Sequence, residues 1–181
     1  MKCTLLLING SLRSGSVNEA VLATAQSLQR ENVILKFYKG MAELPHFNPD
    51  DDREPLHPSV VALRADIKHA DALLFCTPEY AGALPGSFKN LLDWTVGGTE
   101  MSGKPVGWIN AASSAAPAGG EDAYASLRKV LGYVGAHIVE AACVRVPVSR
   151  KDVDANGFLQ DNVIRQGIAL SLSLLATAAT E

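Results

Sequence analysis

Apolar positions along this chain fall into two alternating patterns. Thr4–Ile8, Val33–Tyr38, Ala72–Cys76 and Lys104–Asn110 are short, largely apolar runs, as expected of strands in a parallel sheet covered on both faces. Between them apolar residues recur at helical spacing: Val17, Ala20, Val21, Thr24, Ala25 and Leu28, then Val60, Val61, Leu63 and Ile67. A third helix is predicted from Ser87 to Thr95. A fourth, from Glu121 to Val134, carries Tyr124, Leu127, Val130, Leu131 and Val134, and a closing helix carries Ile164, Ile168, Leu172 and Leu175. His137–Glu140 and Cys143–Val146 read as a fifth strand with an irregularity at Ala141-Ala142. The alternation predicts an α/β chain: a three-layer sandwich with a five-stranded parallel sheet at its centre.

Composition narrows the classes. A length of 181 residues with 48% hydrophobic content suits one core, so residues 1–181 are expected to form a single domain. A net charge of −3 gives no reason to expect nucleic acid. The three cysteines, Cys3, Cys76 and Cys143, are widely spaced in or beside apolar runs and read as reduced core residues of a cytoplasmic protein. The most apolar stretch near the end, Ile168–Ala179, is too short for a membrane span and carries Ser171, Ser173 and Thr177. His46 and His57 lie in the Pro- and Asp-rich segment from Met41 to Pro58, without ligand spacing, so no metal is expected. That segment is long enough to be expected as the rim of a site.

The chemistry concentrates where strands end. Gly10-Ser11-Leu12-Arg13-Ser14-Gly15-Ser16-Val17-Asn18 lies between the first strand and the first helix. A helix N-terminus with unpaired N–H groups favours a bound anion, the serine hydroxyls can donate to phosphate oxygens, and Arg13 offers a charged fork. The ordinary alternative is a Ser-capped helix with an arginine in solvent. No lysine stands here, which excludes the triphosphate loop, and only Gly10 and Gly15 are present, which excludes the three-glycine dinucleotide fingerprint. A hydroxyl-rich loop suits one terminal phosphate, hence a mononucleotide. Thr77-Pro78-Glu79-Tyr80-Ala81-Gly82-Ala83-Leu84-Pro85-Gly86-Ser87 follows the third strand and Ala111–Gly120 the fourth. In an open doubly wound sheet, ligands bind outside the carboxyl ends of the strands.

Taken together, the first loop, Leu44-Pro45-His46-Phe47-Asn48-Pro49-Asp50, Thr77-Pro78-Glu79-Tyr80 and Pro85-Gly86-Ser87-Phe88-Lys89-Asn90-Leu91-Leu92-Asp93-Trp94 resemble the NAD(P)H-dependent FMN reductase family, in register from Thr4 to Val134. The resemblance implies a flavodoxin-like fold, bound FMN, NADPH or NADH as donor, and a quinone, free flavin, azo compound or metal oxyanion as acceptor, in ping-pong order. It also implies that Ser11, Arg13, Ser16, Val17 and Asn18 hold the phosphate. Pro78, Glu79, Tyr80 and Ala81 would run along the isoalloxazine edge, and Ser113 would meet the dimethylbenzene or ribityl side. Phe88, Asn90, Asp93 and Trp94 are expected to set helix and subunit packing, in a homodimer or homotetramer. No catalytic side chain is required, because the hydride chemistry belongs to the flavin.

The chain departs from the family at two points. Ala81-Gly82-Ala83 replaces the Asn-Tyr-Ser or similar bulky set of several relatives, a departure expected either to widen the pocket or to weaken flavin retention. Glu121-Asp122 follows Gly119-Gly120 where many relatives carry a basic residue, and these carboxylates are expected to cap the fourth helix. Neither NADH nor NADPH is singled out. Two other classes compete with the reductase: a non-enzymatic electron carrier of the flavodoxin type and a flavin-binding sensor module. Turnover with NAD(P)H separates them.

Overall fold

The computed structural model describes residues 2–113, 116 and 118–181. Its elements are β1 (Cys3–Asn9), α1 (Val17–Ser27), β2 (Val33–Tyr38), α2 (Pro58–His69), β3 (Ala72–Cys76), α3 (Gly86–Asp93), β4 (Pro105–Asn110), α4 (Glu121–Tyr133), β5 (His137–Ile138), β6 (Val144–Arg145) and α5 (Asn162–Ala178). The strands pair in parallel in the order β2-β1-β3-β4-β5, with β6 also on β4. That order reverses between β1 and β3, which creates the crevice typical of doubly wound sheets.

The expected fifth strand is two short pieces. A 3-10 turn at Glu140–Ala142 separates β5 from β6, and both pieces pair with β4. The physical reason is packing: Ala142 is fully buried, its carbonyl accepts the Ser171 hydroxyl at 2.6 Å, and its Cβ lies against Gly107. The chain turns there to meet α5, then returns to the sheet.

Side chains alternate between the sheet's two faces. Leu6, Ile8, Leu73 and Phe75 join the layer with α2, α3 and α4, whereas Leu5, Leu7, Leu74 and Cys76 join the layer with α1 and α5. Ser16 caps α1 by accepting the Glu19 N–H, and Asp161 caps α5 by accepting from Val163 and Ile164. Among the described residues no helix is long and apolar enough to cross a membrane.

Most of the 41–58 segment, expected as the rim of a site, packs on α3, while Met41 at its start borders a cleft beside the first loop. The Pro45 carbonyl accepts from Asn90 Nδ2 (2.9 Å) and Trp94 Nε1 (2.8 Å), and Asn90 Oδ1 accepts the Phe47 N–H (2.7 Å). Phe47 meets the Trp94 ring edge-on at 5.0 Å. The segment is thus docked against α3, and Asn90 and Trp94 have the packing role expected of them. His57 caps α2 by accepting the Ser59 N–H.

Candidate functional site

Three loops leave the carboxyl ends of β1, β3 and β4 and meet at one end of the sheet. The first crosses the second at close quarters: a Cβ on Gly10 would lie 2.2 Å from Thr77 Oγ1, so only glycine fits there. Beyond Gly10 the loop braces itself. The Ser11 N–H donates to Asn9 Oδ1 (3.0 Å), Ser11 Oγ accepts the Arg13 N–H (3.2 Å), and Ser16 Oγ accepts the Glu19 N–H (3.1 Å). A hydroxyl that accepts in this way keeps its own proton to donate. The Gly15 N–H already holds an anion, the Glu19 carboxylate, at 2.9 Å. The N–H groups of Ser14, Ser16, Val17 and Asn18 make no hydrogen bond to protein among the described residues. These unpaired amides, the Ser11 and Ser16 hydroxyl protons and the Arg13 guanidinium are donors of the kind a terminal phosphate takes.

The second loop turns tightly. Tyr80 and Ala83 exchange backbone hydrogen bonds of 3.0 and 3.1 Å, with Ala81 (φ 52°) and Gly82 (φ 70°) both in the left-handed region, the geometry of a type I′ turn. Asparagine favours the first of these positions and alanine does not. Ala81→Asn is therefore expected to stabilise the protein by about 1 kcal/mol, read as a rise in melting temperature. An unchanged melt would show that contacts, not backbone preference, hold the turn.

Glu79 points away from the turn. Its Oε2 accepts the Ala123 N–H (3.2 Å) in the first turn of α4, a helix whose N-cap, Gly120, has no side chain to do so. This corrects the expectation that Glu121-Asp122 cap α4. They lie in its first turn and favour the helix dipole, but the capping bond comes from Glu79, and Glu121 lies 3.7 Å from Arg145.

Asn110, buried at the end of β4, holds the third loop. Its Nδ2 donates to the Gly119 carbonyl (2.9 Å) and its Oδ1 accepts the Ala112 N–H (3.0 Å). Ser114, Ala115 and Pro117 of this loop lie outside the described residues.

Between the loops lies a cleft of about 640 Å³. Val17, Asn18, Pro78, Glu79 and Ser113 line it together, as do Thr77, Ala111, Ala112 and Gly120. Ser11 and Arg13 border an adjoining cleft of about 550 Å³ on the β2 side, with Phe37 and Lys39. Ser16 is buried as the cap of α1, between the two groups of residues. Tyr80, 52% exposed, and Ala81 stand on the turn beyond Glu79 and are not part of the cleft wall.

Three wall residues escaped the sequence reading: Val148, Ser149 and Arg150. They follow β6, and the rule that ligands gather at strand carboxyl ends points to them as much as to the other loops. Asp152 fixes this wall by accepting the Ser149 hydroxyl (2.6 Å) and the Ser149 N–H (2.7 Å). The hydroxyl bond and then the amide bond hold its carboxyl below the ordinary value of 3.8. Such a group stabilises the wall above its unfolded pKa, and that support is lost as pH falls through the lower folded value. Relative to an unstructured peptide at the same pH, amide exchange at Ser149 is expected to accelerate only below pH 3.8 and to be unprotected throughout in Asp152→Ala. Acceleration beginning nearer neutrality would assign the effect to another group.

Among the described residues, no three His, Cys, Asp or Glu side chains are grouped to hold a metal ion. The three loops offer hydrogen-bond donors at the start of α1 and backbone edges after β3 and β4, groups of the kind that position a mononucleotide.

Strand order and a cleft at the switch point define a flavodoxin-like α/β protein. The comparisons agree and go further. Residues 3–150 match the family model for NADPH-dependent FMN reductase. An NAD(P)H-dependent FMN reductase of Pseudomonas aeruginosa is 35% identical over 170 residues, covering 93% of this chain and 90% of that protein. A quinone reductase of Escherichia coli K12 is 30% identical over 141 residues, 76% of this chain and 74% of that protein. The solved structure of FerB, a flavoenzyme NAD(P)H:(acceptor) oxidoreductase from Paracoccus denitrificans, superimposes with a TM-score of 0.84 at 26% identity, covering 98% of this chain and 97% of that one. The chain belongs to the NADPH-dependent FMN reductase family. It is an NAD(P)H-dependent oxidoreductase with FMN as its cofactor.

Proposed function

We propose that residues 1–181 form one FMN-binding domain that passes reducing equivalents from NADPH or NADH to a quinone, free flavin, azo compound or metal oxyanion in ping-pong order. The observation that carries this reading is the cleft itself. Unpaired amides at the start of α1 lie on one side of it, and the β3 and β4 loops lie on the other.

In this reading Ser11, Arg13, Ser16, Val17 and Asn18 hold the phosphate. The backbone of Pro78, Glu79, Tyr80 and Ala81 follows the ring edge, and Ser113 meets the ring or ribityl from the third loop. FMN supplies the hydride chemistry when bound. The protein binds and orients, and no side chain need move a proton in the transfer. Glu79 can serve through its backbone because its carboxylate is engaged at α4. The small side chains Ala81, Gly82 and Ala83, on the turn beyond the cleft wall, would leave one side of the ring open to donor and acceptor in turn, as a ping-pong order requires.

The same reading extends to assembly as a homodimer or homotetramer and to the cytoplasm. Val163 and Leu170, 75% and 53% exposed and seven residues apart on α5, support an assembly surface. The unpaired thiols of Cys3, Cys76 and Cys143 support a reducing compartment. Sedimentation of the pure protein tests the first, and a monomer at micromolar concentration would remove it.

The deciding experiment is anaerobic addition of NADPH or NADH to the FMN-loaded protein. The visible flavin band is expected to bleach and to return on adding a quinone. Binding without bleaching would make the protein a carrier or a sensor, and no binding would mean that the first loop holds no phosphate.

A further inference from the structure

Behind the cleft wall lies a buried polar chain that links the phosphate side of the site to the ring side. Asn18, on the first turn of α1, is 7% exposed and lines the cleft. Its Oδ1 accepts the thiol of Cys76, the fully buried last residue of β3, at 3.2 Å. Burial pushes the Cys76 thiol up from its ordinary value of 9.0, and the neighbouring Tyr124 hydroxyl offsets this only in part. The sulfur therefore stays protonated and acts as a donor. Tyr124, reaching up from α4, donates to the Ile109 carbonyl (2.6 Å) and accepts the Thr77 N–H (3.3 Å). Its single hydroxyl thus ties the end of β4 to the end of β3, just where the two ring-side loops depart.

We propose that Cys76 and Tyr124 are positioning residues for FMN, Cys76 by fixing the orientation of the Asn18 carboxamide and Tyr124 by clasping the ends of β3 and β4. A carboxamide has an accepting and a donating end. With Oδ1 turned to the thiol, the end left for the cleft is Nδ2, a donor suited to a phosphate oxygen. Without the S–H, no other hydrogen bond among the described residues distinguishes the two orientations, and the flipped one presents an oxygen to an anion. Tyr124 acts at the other end of the ligand. Loss of its hydroxyl strands the Ile109 carbonyl and the Thr77 N–H in the interior and loosens both ring-side loops together.

The inference rests on the FMN reading, and its test separates the two. FMN and riboflavin, which lacks the phosphate, are titrated by flavin fluorescence into the wild-type protein and into Cys76→Ala, Cys76→Ser and Tyr124→Phe. Cys76→Ala is expected to weaken FMN by about tenfold, the scale of one hydrogen bond, and to leave riboflavin unchanged. Cys76→Ser retains a donor and is expected to restore FMN affinity. Tyr124→Phe is expected to weaken both ligands by the same factor.

Equal losses for FMN and riboflavin in Cys76→Ala, or equal losses in the alanine and serine variants, would overturn the role of Cys76 and leave it a space-filling thiol. A Tyr124→Phe protein that binds both flavins like wild type would overturn the clasp. A wild-type protein that binds neither flavin would overturn the cofactor reading itself, and with it this inference.

Discussion

Asp52→Ala is expected to cost about 3 kcal/mol of stability, the lower end of the range for breaking a buried ion pair. The Asp52 and Arg64 side chains are 9% and 12% exposed, and Asp52 Oδ1 lies 2.7 Å from an Arg64 terminal nitrogen. Arg64 also donates from Nε and from that terminal nitrogen to the Trp94 carbonyl, at 3.1 and 2.9 Å. Removing the carboxylate leaves a guanidinium with little water and one neutral acceptor. Those remaining bonds keep the cost near the bottom of the range. The expected fall in melting temperature is about 6–12 °C for a chain of this size. FMN affinity is expected to hold, because Asp52 and Arg64 line neither the cleft of Val17 and Asn18 nor that of Ser11 and Arg13. A shift of less than about 1 kcal/mol, the scale of a surface pair, would mean that water reaches this pair in solution.

Arg13→Ala is expected to act in the opposite way, on the ligand and not on the fold. The side chain is exposed and makes no ion pair among the described residues. Truncation removes no packing, so the melting temperature of the unloaded protein should stay within error. FMN affinity should fall by about 1.5–3 kcal/mol, the scale of hydrogen bonds to a charged group, while riboflavin affinity holds. Isothermal titration with both ligands checks the expectation. Unchanged FMN affinity would remove Arg13 from the phosphate site and leave its charge to the adjoining cleft it shares with Lys39.

These two residues show how differently the chain discloses its parts. Arg13 lies within a nine-residue loop whose hydroxyls, glycines and flanking patterns all point one way. Asp52 belongs to Asp50-Asp51-Asp52, which reads as a solvated run, and two of the three are indeed surface residues. Its partner Arg64 stands on α2, and nothing in the local pattern separates Asp52 from its neighbours. Only the docking of the loop against α3 brings pair and carbonyl together.

The same division runs through the whole protein. Strand and helix positions and the break at Ala141-Ala142 were legible because each depends on neighbours a few residues away. Periodicity and capping are local properties, and a parallel sheet repeats them regularly. The parallel sense of the strands followed, since helical crossovers allow few alternatives. The cleft wall needed the tertiary structure. Glu79 caps a helix 44 residues onward, and Cys76 meets Asn18 across 58 residues. Such bonds leave no periodic trace, because the distance that governs them exists only after the sheet has closed. Local pattern was enough to determine a doubly wound α/β chain whose first strand runs through a glycine- and serine-rich loop into the first helix. Packing alone decided that Val148, Ser149 and Arg150 complete the wall, that Glu79 turns its charge away from it, and that the long loop is docked against α3.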